Sequence, residues 1–119
     1  VKVMDLHVND RSNVMNEAAN SGLIALGAPT MNNQVFPAMA DILCYLKGLK
    51  PKNKLGFAFG SYGWSGEGGK QIKAVLDEMG VEQPCEMFQV KYMPTAEDLK
   101  KIHEIGEKLG QTLLAKIKK

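Results

Sequence analysis

Seven residues in the middle of the chain, Gly60-Ser61-Tyr62-Gly63-Trp64-Ser65-Gly66, combine three glycines with two aromatic rings. Glycine lets backbone come close to a ligand and turn its N–H groups toward it. Tyr62 and Trp64 offer flat apolar faces. A planar heteroaromatic ring needs this combination, stacking on its face and amide donors at its edge. The competing reading folds Trp64, the only tryptophan, back over a sheet edge. A large ring set among glycines at a strand end is poorly placed for core filling. A second run, Pro29-Thr30-Met31-Asn32-Asn33, brings one hydroxyl and two carboxamides without charge. Asn32 and Asn33 could bond ring carbonyls and nitrogens, or serve only as a polar turn with an Asn cap. Neither run contains Lys, Arg or His, which argues against a site devoted to phosphate or to an acidic substrate.

Other chemistries find little support. His7 and His103 lack metal-ligand spacing. Glu97 and Asp98 read better as acids at a helix N-terminus than as an acid/base pair. No Ser-His-Asp or Cys-His set is evident. Lys70 after Gly69 is followed by Gln71, so the segment is not a Walker loop, and no Gly-x-Gly-x-x-Gly fingerprint occurs. Ser65 could cap the helix that follows, and Gly68 and Gly69 would leave its N-terminus open to an anion, or make it an ordinary cap. The seven methionines read as core filler.

The elements that would position these loops follow from periodicity. Val1–Val8 largely alternates apolar with polar residues and predicts a strand. Asp10 or Ser12 can cap a helix to about Asn20. Gly22–Ala28 and Lys54–Gly60 are short, nearly continuous apolar runs, as in strands buried on both faces. Pro37 opens a helix to about Gly48, with Met39, Ile42, Leu43 and Leu46 at helical spacing. A further helix follows Glu67 to about Met79, and Glu86–Val90 predicts a weaker strand. Thr95 opens the last helix with Asp98 as its capping-box partner. Its predicted buried stripe is Leu99, Ile102, Leu109, Leu113 and Ile117, with Gly106 and Gly110 permitting close packing. Strand and helix alternate throughout, which means a parallel sheet with helices on both faces and right-handed crossovers. Ligands bind such folds outside the carboxyl ends of the strands, where both glycine- and asparagine-bearing loops fall.

The 119 residues suit one domain, expected to span residues 1–119. A net charge of +2, with dispersed basic residues, gives no argument for nucleic acid. No apolar run approaches membrane-spanning length. Cys44 and Cys85 lie far apart and read as reduced thiols of a cytoplasmic protein.

Three stretches, Gly22–Asn33, Tyr45–Lys54 and Ala58–Glu67, closely resemble the flavodoxin-like domain of flavodiiron proteins, also known as A-type flavoproteins. The Pro-Thr-x-Asn-Asn and Gly-x-x-Gly-Trp motifs carry the resemblance, which covers nearly the whole chain. It implies a three-layer flavodoxin-like fold that binds flavin mononucleotide (FMN). Pro29, Thr30, Met31, Asn32 and Asn33 would be one contacting loop. Gly60, Ser61, Tyr62, Gly63, Trp64, Ser65 and Gly66 would be the other, with Trp64 beside the isoalloxazine. It also implies electron transfer from a rubredoxin-type or NADH-linked donor to a diiron centre that reduces oxygen or nitric oxide. That centre belongs to a separate metallo-β-lactamase-like domain, met by head-to-tail dimerisation.

Against the family pattern, Val1–His7 resembles the second strand. The chain is therefore expected to hold four strands of the usual five, and to lack the first strand and its Ser/Thr-Gly-rich phosphate loop. Three outcomes follow for the vacated slot: direct pairing of Val1–His7 with Gly22–Ala28, filling by another copy, or filling by a further segment. Phosphate-loop bonds are worth about 1.5–3 kcal/mol each, so their loss would weaken FMN binding by several orders of magnitude. The main expectation is an FMN electron-transfer module that needs an iron partner for any oxygen or nitric oxide chemistry. The alternatives are a non-catalytic remnant acting in packing or oligomerisation, and a flavin-dependent quinone reductase.

Overall fold

A computed structural model describes residues 1–31, 34–49, 53–63 and 66–117. The chain runs α1 (Arg11–Ala19), β1 (Leu23–Met31), β2 (Gln34–Val35), α2 (Pro37–Leu49), β3 (Leu55–Tyr62), α3 (Glu67–Glu78), β4 (Phe88–Lys91) and α4 (Ala96–Ile117). The sheet order is β2-β1-β3-β4. β1, β3 and β4 are parallel, while β2 turns back antiparallel against Thr30 and Met31. This is the expected flavodoxin-like α/β architecture, but among the described residues the parallel strands number three rather than four, with four helices.

The apolar runs behave as their continuity requires. Leu26, Ala28 and Ala58 point to one side of the sheet, where Met39, Ile42, Leu43 and Leu46 of α2 and Ile72 and Leu76 of α3 close the core over them. All four predicted α2 positions are buried. Leu55 and Phe57, on the alternate side, are also buried. α1 begins at Asp10, whose carboxylate accepts the Asn13 N–H at 3.0 Å.

The predicted first strand is not one. Residues 1–10 contain no strand. Instead the Asp5 carboxylate accepts the His7 N–H at 2.8 Å, and the Asp5 carbonyl accepts the N–H groups of Val8 and Asn9. Capture of these donors by Asp5 curls the backbone into a turn before it can extend. Val1, Val3 and Val8 are exposed, and the segment is tied down through partly buried Leu6 and a His7–Phe36 ring contact. Direct pairing with β1 is therefore corrected. Beside β1, the only strand on that edge among the described residues is the two-residue β2.

α4 differs from its predicted stripe at both ends. Leu109 is buried and Leu113 lies against Gly22, but Leu99 and Ile117 are exposed. Gly106 and Gly110 face open space, so they do not serve close packing. Its start is as expected, with Thr95 N–H donating to Asp98 Oδ2 at 2.9 Å and Asp98 N–H donating to Thr95 Oγ1 at 3.1 Å.

Candidate functional site

Parallel pairing in register places the two loops side by side. Ala28 pairs with Gly60 and Pro29 with Ser61 at the carboxyl ends of β1 and β3. The approach is close: a Cβ on Gly60 would stand 2.3 Å from the Ala28 carbonyl oxygen, so only glycine fits there. Pro29, Thr30, Gly60, Ser61, Tyr62 and Gly63 are thereby gathered on one edge. Met31 joins them through its backbone in β1. Gly66 stands across the loop as the N-cap of α3. Asn32, Asn33, Trp64 and Ser65 lie outside the described residues.

Thr30 has a role that spacing did not disclose. Its Oγ1 accepts the Gly68 N–H at 3.1 Å. Gly66 is the helix N-cap, and it makes no side-chain cap bond. Thr30 therefore supplies the missing acceptor from another strand and satisfies one of the helix's orphan donors. As an acceptor here, the hydroxyl engages its oxygen rather than its O–H. Gly68 and Gly69 are buried rather than open. A Cβ at Gly68 would meet Thr30 Oγ1 at 2.8 Å, and one at Gly69 would meet Gln89 Nε2 at 2.4 Å. The first turn of α3 is thus seated against the strand ends. The Gly68 N–H, one of this terminus's donors, is thus engaged within the chain.

β4 completes the edge with residues that sequence reasoning missed. Gln89 Nε2 donates to the Gly66 carbonyl at 3.1 Å and holds the far end of the loop. The Tyr92 N–H donates to the Tyr62 carbonyl at 2.7 Å, extending the β3–β4 ladder past its last pair, Tyr62 with Lys91. The Tyr92 ring stands over Gly63, 3.2 Å from where a Cβ would be. Gln89 and Tyr92 lie more than twenty residues from the loop they brace, so only strand pairing reveals them. The expected strand at Glu86–Val90 is observed as Phe88–Lys91. An earlier touch at Glu82, paired with Leu55, precedes the turn through Pro84.

An edge made of backbone N–H groups, hydroxyls and aromatic rings suits a flat, largely uncharged ring system. Glycine at 60 lets β3 lie close against the Ala28 carbonyl, and glycine at 63 leaves room for the Tyr92 ring. A flavin ring fits this donor set.

Comparison with known proteins agrees with the fold. The flavodoxin family model matches residues 1–106. The rubredoxin oxygen:oxidoreductase structure from Desulfovibrio gigas is 38% identical, with a TM-score of 0.95, over 98% of this chain and 29% of that one. The Giardia intestinalis flavodiiron protein structure is 32% identical, with a TM-score of 0.87, over 93% of this chain and 28% of that one. The nitric oxide reductase of Moorella thermoacetica is 38% identical over 111 residues, covering 92% of this chain and 28% of the reductase. The chain thus spans less than a third of the length of these relatives.

Proposed function

Because the chain belongs to the flavodoxin family, we propose that it holds FMN at the carboxyl edge of β1 and β3 and serves as the electron-transfer module of a flavodiiron-type oxidoreductase. The observation that carries this reading is the register pairing of Pro29 with Ser61, which sets both motif loops on one edge. The resemblance of the whole chain to the flavodiiron relatives supports it, and the non-catalytic alternative is not favoured.

FMN, when bound, supplies one- and two-electron redox chemistry at its ring. This chain's residues bind and orient it. Ser61, Gly63 and Gly66 would offer backbone and hydroxyl groups to the ring, with Thr30 beside them. Tyr62 and Trp64 shield the ring faces from water, and Asn32 and Asn33 contact ring heteroatoms. No side chain of the two loops need act as an acid or base. Residues 1–119 act as a single unit. The working protein pairs it with a diiron, metallo-β-lactamase-like domain, a rubredoxin-type donor and a second copy of itself. It operates in the cytoplasm, which suits the two free cysteines. Among the described residues no helix is long and apolar enough to cross a membrane.

A titration with FMN and with riboflavin, followed by flavin absorbance and fluorescence, tests the reading. The loops carry no cation, so both flavins are expected to bind, with constants within about tenfold of each other and near micromolar. Failure of both flavins to bind would sink it.

A further inference from the structure

We infer that Gln89 is a positioning residue: with Thr30 it holds a first turn of α3 that the local sequence does not stabilise, and so sets Gly66 and Thr30 relative to each other at the candidate edge. The other helices start on devices of their own. Asp10 accepts the Asn13 N–H at α1, and Thr95 and Asp98 exchange bonds at α4. α2 opens on Pro37, which has no N–H to satisfy. α3 starts on Gly66, which makes no side-chain cap bond, and carries Gly68 and Gly69 in its first turn. Glycine is the poorest helix former after proline. The Lys70 N–H reaches the Gly66 carbonyl at 3.4 Å, where the matching first bonds are 3.2 Å in α1 and 3.0 Å and 3.0 Å in α2 and α4. That is beyond the usual range for an amide–carbonyl bond. Glu67 and Lys70 pair across the turn at 3.6 Å, open to solvent, and such a pair adds little.

The turn is held from outside, by one side chain from each strand that flanks β3. Thr30, near the end of β1, accepts the Gly68 N–H at 3.1 Å. Gln89, in β4, donates from Nε2 to the Gly66 carbonyl at 3.1 Å, the acceptor that Lys70 reaches only at 3.4 Å. The glycines admit this seating. A Cβ on Gly68 would stand 3.3 Å from the Pro29 carbonyl oxygen, and one on Gly69 would stand 2.8 Å from Met87 Sδ. Helix propensity is exchanged for close approach to the sheet, and the two contacts replace what the glycines take away. Both grip the same turn, so they depend on each other, and releasing one end loosens the other.

That this turn sets the flavin edge rests on the function proposed above, whereas the mutual dependence is read without flavin. Amide hydrogen exchange in the flavin-free chain is compared in wild type, Gln89→Met, Thr30→Val and Thr30→Ser. In wild type the Gly68 and Lys70 amides are expected to be protected alike and less than that of Leu76 in the same helix, as one weak unit. Gln89→Met removes the donor and Thr30→Val the acceptor. Each should lower protection at both amides about tenfold and leave the Leu99 amide, in the first turn of α4, unchanged. Thr30→Ser restores the acceptor and should match wild type. Gly68 and Lys70 protected as strongly as Leu76 would overturn the inference. So would Gln89→Met that leaves Gly68 unchanged, or Thr30→Val that leaves Lys70 unchanged. If Gln89→Met does not fold, the Thr30→Val and Thr30→Ser pair carries the same test. Gln89 lies outside both motif loops, so an effect on FMN must pass through the turn. Gln89→Met should bind FMN about tenfold more weakly than wild type. Equal binding in the two overturns the positioning role. Wild type that fails to bind flavin would instead sink the proposed site and leave the exchange result standing.

Discussion

The two faces of the sheet are built from the same strands and end in different environments. On one, Leu26, Ala28 and Ala58 are sealed beneath α2 and α3, with Ile72 fully buried. On the other, Ala25 is exposed and Phe59 is 39% exposed, while Leu55 and Phe57, nearer the start of β3, are buried. Phe59 stacks on Phe57 with centroids 5.9 Å apart and lays its ring where a side chain at Gly27 would stand. The second face is thus covered partly by its own aromatic rings. Close packing by helices fixes the relative height of the strands, and that register carries Pro29 to Ser61. The face that sets the site is the sealed one.

The largest effect expected from this contrast is at Ile72. Ile72→Ala should lower stability by about 3 kcal/mol, because it opens a cavity in a helix–sheet core that cannot collapse. Phe59→Ala removes a ring that is already partly in water, and should cost about 1–1.5 kcal/mol. Urea unfolding of the two variants checks both. Equal losses would mean that the faces are not distinguished as described.

The smallest effect lies outside both faces. The Lys73 and Gln83 side chains hold Asp77 below its ordinary value of 3.8, as the Thr95 N–H and hydroxyl do for Asp98 and the His7 N–H does for Asp5. Each native carboxylate therefore binds protons less readily than its unfolded counterpart. Their contribution is present above the unfolded value and fades as pH falls through and below it. Asp5 and Asp77 are exposed and Asp98 is partly so, and the loss should be slight and salt-sensitive. Thermal midpoints followed from about pH 5 to about pH 2.5 should drop, and Asp77→Asn should flatten part of that drop. A midpoint that rises on acidification would contradict the assignment.

Much of this was legible in the residues. Continuous apolar runs at Gly22–Ala28 and Lys54–Gly60, and helical spacing in Met39–Leu46, report burial that the local sequence itself determines. The alternation in Val1–Val8 was misleading because period-two patterning says nothing about whether a partner strand is present. Asp5 offered the backbone a nearer acceptor. At α4, Leu99 and Ile117 satisfy helical spacing, yet the helix runs past the surface it packs on. For the candidate site, glycines and aromatics drew attention to the loops from the residues alone. Thr30 was recognised as a polar loop residue, but its bond to Gly68 depends on how α3 returns to the sheet. Gln89 and Tyr92 were invisible because their importance arises only from β4 lying beside β3.

The central claim is that the edge made by Pro29–Met31 and Gly60–Gly66 is where flavin binds. Backbone amide chemical shifts during an FMN titration of the 15N-labelled chain test it most directly. The account predicts that the amides of Thr30, Gly60, Ser61, Tyr62, Gly63, Gly66 and Tyr92 shift together and saturably, while those of α1 and the end of α4 stay in place. Shifts confined to α1 or α4, or spread evenly over the chain, would contradict it.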